Sequence, residues 1–211
     1  MGELGESVAS RVLAQAGVQR VPTPYAEVFQ MRRFIPPTLC EALITLIEAD
    51  RRPSTIADDN GDPTFRTSET CDLAADNPHV RALEERFFAL SGLDPAHGEP
   101  IQGQRYATGQ EFKAHTDYFD PYGADYQRFC GLSGQRTWTF MIYLNEVAAG
   151  GATRFKQLGK MFQPEAGKLL FWNNRLSNGA VNPATLHHGM KVRRGVKYVI
   201  TKWYREEVWR G

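Results

Sequence analysis

Three cysteines in 211 residues are too few and too widely spaced for a disulfide framework. Cys40, Cys71 and Cys130 are odd in number and form no C-x-x-C pair, which also excludes a structural zinc knuckle. Such usage fits a reducing cytosol. Net charge is equally sparse. The formal value of +1 supplies no basic field to hold a nucleic-acid backbone, so no nucleic-acid partner is expected. The local run Lys191, Arg193 and Arg194 reads as a solvated face. No apolar run approaches the ~20 residues of a membrane helix, so no membrane association is expected. The start, Met1-Gly2-Glu3-Leu4-Gly5-Glu6, lacks the basic and apolar regions of a secretory leader. Cytoplasmic location is the resulting expectation. Also missing are a G-x-S-x-G elbow, a Walker A loop and an H-E-x-x-H pair. Gly103, Gly109 and Gly123 read as turn glycines.

What is present divides near residue 98. Before it, helical spacing dominates. Residues 4–16 place Val8 and Val12 on one side, with Gly17 as a stop. Pro22 and Pro24 favour extended chain. Pro36, Pro37 and Thr38 start a helix whose Leu39, Leu43, Leu46 and Ile47 share a face and which Arg52-Pro53 ends. Residues 54–64 are polar and rich in turn formers, as a mobile surface loop would be. Asn77-Pro78 opens another helix, with Val80, Leu83, Phe87 and Leu90 inward and Gly92 at its end. Beyond residue 98, strand-like runs are predicted at 100–107, 111–116, 137–144, 153–156, 168–172, 184–187 and 196–204. Thr137–Leu144, rich in β-branched and aromatic residues, suits a buried strand. Short, closely spaced strands point to a sandwich or jelly roll. One domain over 1–211 is expected, with helical support over about 1–98 and a β core over about 99–206.

The chemistry-bearing pattern is His115-x-Asp117, followed downstream by His187 and, ten residues later, Lys197. On a strand, residues i and i+2 face the same way, so His115 and Asp117 can meet one metal ion. Two imidazoles and a carboxylate are a set that holds ferrous iron and leaves other positions open. With five histidines and 24 acidic residues, an H-x-[DE] match also arises by chance, as a surface histidine beside a solvated acid. His187 and His188 point to opposite faces, so at most one joins the site. Lys197, Val199, Thr201 and Trp203 share a strand face, and a lysine there needs either the strand mouth or an anion as partner. His79 and His97 read as surface residues.

Around these residues the sequence resembles the prolyl 4-hydroxylases, a group of Fe(II)/2-oxoglutarate-dependent dioxygenases. The resemblance rests on Gln104–Asp117 (QRYATGQEFKAHTD), Gln135-Arg136-Thr137, Tyr143-Leu144-Asn145 and Gly150–Phe155. It continues through Pro164–Lys168, Leu186-His187-His188-Gly189, Val192, Gly195, Lys197 and Trp203. More weakly, it extends to Arg66-Thr67-Ser68 and the helix at 78–91.

The resemblance implies an α+β, mainly β fold: a double-stranded β-helix of jelly-roll type with an N-terminal helical layer packed on it. It implies an enzyme that hydroxylates a prolyl residue in a peptide or protein while 2-oxoglutarate is decarboxylated to succinate and CO2. Iron would be held by His115, Asp117 and His187, the last chosen over His188 because Gly189 completes a His-x-Gly pattern. Lys197 would pair with the distal carboxylate of 2-oxoglutarate. Tyr106, Tyr143, Thr139 and Trp203 would line the co-substrate pocket. Arg66, Glu99 and Arg136 would contact the peptide, with loop 54–70 closing over it. Dioxygen is the second co-substrate, and ascorbate would help restore ferrous iron. Three departures stand out: Phe112 for a usual tyrosine, Ala152 for a glutamate, and Met190-Lys191 for a less charged pair. Other readings stay open. One is a hydroxylase of a free amino acid or small metabolite, another a non-catalytic iron or 2-oxoglutarate sensor, and a third a metal-dependent cupin without oxygen chemistry.

Overall fold

Asn77 begins its helix as its chemistry dictates: its side chain accepts a 2.9 Å hydrogen bond from the His79 amide, and Pro78 follows where no amide hydrogen is needed. Gly92 ends the helix in the left-handed conformation (φ 71°). The computed structural model describes residues 2–55, 62, 64–124 and 126–211. Part of the loop expected at 54–64 therefore lies outside the described residues.

In chain order the elements are α1 (Gly2–Leu13), β1 (Val18–Arg20), β2 (Val28–Met31), α2 (Pro37–Ala49), β3 (Arg52–Pro53), β4 (Glu69–Asp72) and α3 (Pro78–Ser91). They continue with β5 (Gln102–Tyr106), β6 (Phe112–His115), α4 (Tyr126–Cys130), β7 (Arg136–Tyr143), β8 (Ala149–Gly150), β9 (Thr153–Phe155) and β10 (Lys160–Phe162). The last four are β11 (Leu169–Asn173), β12 (His187–Gly189), β13 (Val192–Arg194) and β14 (Lys197–Arg205). The protein is mainly β. No helix among the described residues is long and apolar enough to cross a membrane.

A large sheet runs in the order β1-β2-β11-β7-β14-β5-β4-β3, and a smaller one in the order β10-β9-β12-β6. Alternation along the central strands gives the large sheet two apolar faces. Phe140, Ile142, Phe171, Ile200 and Tyr204 join a core with Leu43 and Ile47 of α2 and Leu83 and Phe87 of α3. Met141, Tyr143, Trp172 and Val199 form a second core with Phe155 and Phe162 of the small sheet. The helices thus cover one face and the small sheet the other. Both faces of β7 and β11 are buried, which explains their near-continuous apolar sequence.

Three expectations need correction. The first 98 residues are not only helical, because they supply β1–β4, half of the large sheet. Those strands have two to four residues, too few to display a period. Residues 184–187 are not a strand. Asn182 caps a 3-10 turn over Pro183–Thr185 through its side chain, and the strand starts only at His187. Gly103 is no turn glycine. It lies inside β5, where an added Cβ would stand 2.3 Å from Ile47 Cγ1 of α2. The missing side chain lets that helix approach the sheet.

Candidate active site

The small sheet assembles two of the metal-site residues. β12 pairs with β6 so that His187 lies directly across from His115. Asp117 follows β6 by two residues. One ligand atom from each of the three lies within 4.8 Å of the others. His115 Nε2 is 3.8 Å from one carboxylate oxygen of Asp117, and His187 Nε2 is 3.9 Å from the other. Both Nδ1 atoms are tied to backbone carbonyls, His115 to Lys113 at 2.7 Å and His187 to Thr185 at 3.0 Å. A proton on each Nδ1 satisfies these bonds and leaves both Nε2 lone pairs facing the carboxylate. Burial, reinforced by His187, holds His115 well below the ordinary histidine pKa and so favours the neutral imidazole. Two neutral nitrogens and one oxygen, with no thiolate, suit a divalent transition metal such as iron.

The rings are fixed by packing. Phe112 stacks on His115 with 3.5 Å between centroids. Phe155 stacks on His187 at 5.3 Å, and Trp172 meets it edge-on at 4.8 Å. His188 turns to the other face, where its Nε2 pairs with Glu111 at 3.0 Å. His79 is exposed and His97 partly so.

The triad lines one end of a narrow pocket that Gln104, Tyr106 and Lys197 also line. Lys197, Val199, Thr201 and Trp203 line it together, as the alternation of β14 requires. Lys197 is 2% exposed and donates to the Gly151 carbonyl at 3.1 Å, with its Nζ 4.3 Å from the centroid of the Tyr106 ring. No carboxylate offsets its burial among the described residues, and its pKa is pushed down from 10.5 to about 7. The indole Nε1 of Trp203 is also buried without a partner.

Tyr106, Arg66 and Thr139 line the same pocket. Thr139 donates to the second carboxylate oxygen of Asp117 at 2.8 Å, so it serves the metal side of the pocket. Arg66 lies 4.8 Å over the Phe112 ring and donates to Ser68 and Thr70, with burial lowering its pKa. Arg136 lies 4.0 Å over the Trp203 ring.

Three expected residues, Tyr143, Glu99 and Arg136, lie outside the pocket lining. Tyr143 shares a face with Thr139 but lies further along β7, outside the pocket lining. Its hydroxyl is used by Thr153 Oγ1 at 2.6 Å and lies 3.2 Å from the Phe162 carbonyl. Glu99 is 7% exposed and fully engaged. Arg136 binds both its oxygens at 2.6 and 2.7 Å, and Arg205 Nε adds 2.6 Å to one of them. Burial alone would raise the Glu99 pKa, but the two guanidiniums outweigh it and hold it below the usual range. Glu99 therefore anchors Arg136 and does not itself line the pocket. Sequence reasoning missed Trp172, Phe155 and Asn174. Trp172 and Asn174 both continue the inward parity of Leu170, but parity does not say which group each side chain meets.

A family model described as the 2OG-Fe(II) oxygenase superfamily matches residues 101–205. The chain is 27% identical over 187 residues to a putative prolyl 4-hydroxylase of Acanthamoeba polyphaga mimivirus, covering 88% of this chain and 77% of that one. It is 32% identical over 143 residues to human prolyl 4-hydroxylase subunit alpha-1, covering 67% of this chain but 27% of the subunit. The chain thus spans most of the viral relative and about a quarter of the human one. The viral collagen prolyl hydroxylase of Paramecium Bursaria Chlorella virus-1, solved with 2OG, shares the fold. The TM-score is 0.66 at 23% identity, covering 86% of this chain and 96% of that chain. The chain belongs to the 2OG-Fe(II) oxygenase superfamily, as a member similar to the prolyl 4-hydroxylases.

Proposed function

We propose that this protein is an Fe(II)/2-oxoglutarate-dependent dioxygenase that hydroxylates prolyl residues in a peptide or protein substrate. The observation that carries this reading is Lys197, a buried lysine with no acid partner among the described residues, in the same pocket as His115, Asp117 and His187. A dicarboxylate co-substrate accounts for both ends of that pocket, whereas a cupin without oxygen chemistry leaves Lys197 idle. His115, Asp117 and His187 would hold the iron. Iron so held supplies, when bound, the activation of dioxygen that couples 2-oxoglutarate decarboxylation to C–H hydroxylation.

The chain's own residues do the placing. Lys197 fixes the far carboxylate of 2-oxoglutarate, which sets the orientation of its reacting end. Tyr106 and Trp203 pack against it, and the Trp203 N–H is free to donate to a bound molecule. Phe155, Trp172 and Phe112 exclude water from the histidine rings. Arg66 and Arg136 form the side where a peptide enters, and Glu99 acts through Arg136. The described residues are taken as one domain with a double-stranded β-helix at its centre. Its N-terminal support is both helical and stranded. A cytosolic setting accords with three free, buried thiols. Ascorbate is proposed as the reductant on family resemblance alone.

The test is 2-oxoglutarate turnover against a panel of proline-containing peptides, with His187→Ala as the blank. Succinate release with a +16 mass shift on proline is expected. Turnover of free proline without a shift on any peptide would replace the peptide reading with that of a small-molecule hydroxylase.

A further inference from the structure

Asn174 lies just past the end of β11 and is fully buried. Its backbone is locked between two neighbouring segments, donating to the Thr137 carbonyl at 2.7 Å and accepting from the Asn182 amide at 2.8 Å. Its side chain joins a linear set of hydrogen bonds. Trp172 Nε1 donates to Asn174 Oδ1 at 3.0 Å, Asn174 Nδ2 donates to Thr139 Oγ1 at 2.9 Å, and Thr139 Oγ1 donates to Asp117 Oδ2 at 2.8 Å.

The direction of this chain follows from valence. An indole N–H can only donate, so the oxygen of the Asn174 amide must face Trp172 and its NH2 must face Thr139. An amide NH2 also only donates. The Thr139 oxygen is therefore the acceptor there, and its one proton is left for Asp117. Without Asn174 the Thr139 hydroxyl could rotate away. With it, the hydroxyl has one orientation. Trp172 closes the circuit at its other end, because its ring also packs edge-on against His187. Trp172 and Thr139 are cross-strand partners, so the β11–β7 register delivers both groups to one place.

We propose that Asn174 is a positioning residue for the metal centre: it orients the Thr139 hydroxyl so that this group donates to Asp117 and holds the carboxylate in the ligating pose. The proposal rests on the metal-site reading given above. It assigns to Asn174 no contact with metal, co-substrate or substrate.

Co(II) binding to the metal-free full-length protein tests it, read by visible absorption and titration, alongside the melting of each metal-free variant. Wild-type protein should bind Co(II), and His187→Ala should abolish the signal. If wild-type protein shows no His187-dependent binding, the metal-site reading itself falls. Given that binding, Asn174→Leu and Thr139→Val should each weaken Co(II) affinity on the order of 10- to 100-fold. Thr139→Ser, which keeps the hydroxyl, should restore most of it. Because Asn174 acts only through Thr139, the Asn174→Leu/Thr139→Val double variant should bind no more weakly than Thr139→Val alone. A general packing defect would instead add to the Thr139 loss. Near-wild-type affinity in a folded Asn174→Leu protein, or additive losses in the double variant, overturns the proposal. Should Asn174→Leu fail to fold, Trp172→Phe removes the indole N–H with part of the ring and releases the amide, and the Thr139→Val background separates that release from any change in packing on His187. It should weaken Co(II) binding in the wild-type background but not with Thr139→Val, and unchanged affinity in the wild-type background overturns the proposal.

Discussion

Lys197 Nζ lies 4.3 Å from the centroid of the Tyr106 ring, and its hydrogen bond goes to a neutral acceptor, the Gly151 carbonyl. A ring face and a carbonyl soften the burial of the charge but do not neutralise it. The ligand-free protein is therefore destabilised at the point where a dicarboxylate would bind, and the consequences are measurable.

Lys197→Met should weaken 2-oxoglutarate binding by about 2 kcal/mol or more, at least ~30-fold. The same variant should leave the ligand-free protein as stable as wild type or more so, because a buried unpaired charge is replaced by an apolar chain of similar length. Isothermal titration and thermal melts separate the two effects. A variant that loses both affinity and stability would point to a packing role for Lys197 instead.

The pH dependence has a defined sign. Lys197 titrates near 7 in the folded protein and near 10.5 when exposed, so between these values the unfolded chain carries more protons. Stability of the ligand-free protein should rise with pH through that window, by no more than ~1.4 kcal/mol per unit from this group. Lys197→Met should flatten the slope between pH 7.5 and 9. Binding of 2-oxoglutarate at pH 8 should take up close to one proton, because the anion restores the ammonium. Calorimetry in buffers of different ionisation enthalpy reads that uptake directly.

His187 and His188 should separate cleanly. His187→Ala removes a ligand and should abolish metal binding and turnover. His188 makes only a partly exposed pair with Glu111, the kind worth ~0–1 kcal/mol. His188→Ala should therefore leave metal affinity within a few-fold of wild type. The reverse pattern in a metal titration would reassign the triad.

Glu99→Gln leaves Arg136 and Arg205 buried without their shared acid, a loss of about 3–5 kcal/mol in comparable pairs. The melting temperature should drop on the order of 10 °C. Peptide turnover should fall as Arg136 loses its anchor. The folded Glu99 pKa is depressed, so its stabilisation is complete above the unfolded value near 4.5 and is lost as pH falls through the folded value. Acid unfolding of wild type should show that component, and Glu99→Gln should lack it.

Gly103→Ala should destabilise by about 1–3 kcal/mol, because its Cβ meets Ile47 between α2 and the sheet. Combining it with Ile47→Ala should recover part of the loss relative to the sum of the two single changes. Simple additivity in a double-mutant cycle would place the clash elsewhere.

Much of the site was legible without coordinates because it depends on short-range geometry. Two residues of chain keep Asp117 within reach of His115 although β6 ends at His115, and a period of two puts Lys197, Val199, Thr201 and Trp203 on one face of β14. Asn77, Pro78 and Gly92 bound α3 by their own conformational preferences. These are properties of a few consecutive residues, and any fold containing them would keep them. Tertiary structure decided how polar groups were used. Tyr143 and Thr139 have the same parity on β7, yet one hydroxyl is consumed by Thr153 and the other reaches Asp117. Glu99 reads as a peptide contact until Arg205, 106 residues away, is seen to share it with Arg136. Asn174 continues the alternation of Leu170 and Trp172, but only the register of β11 against β7 brings its amide to Thr139. Hydrogen bonds saturate and have direction, so what a polar residue does depends on which distant group claims its proton first.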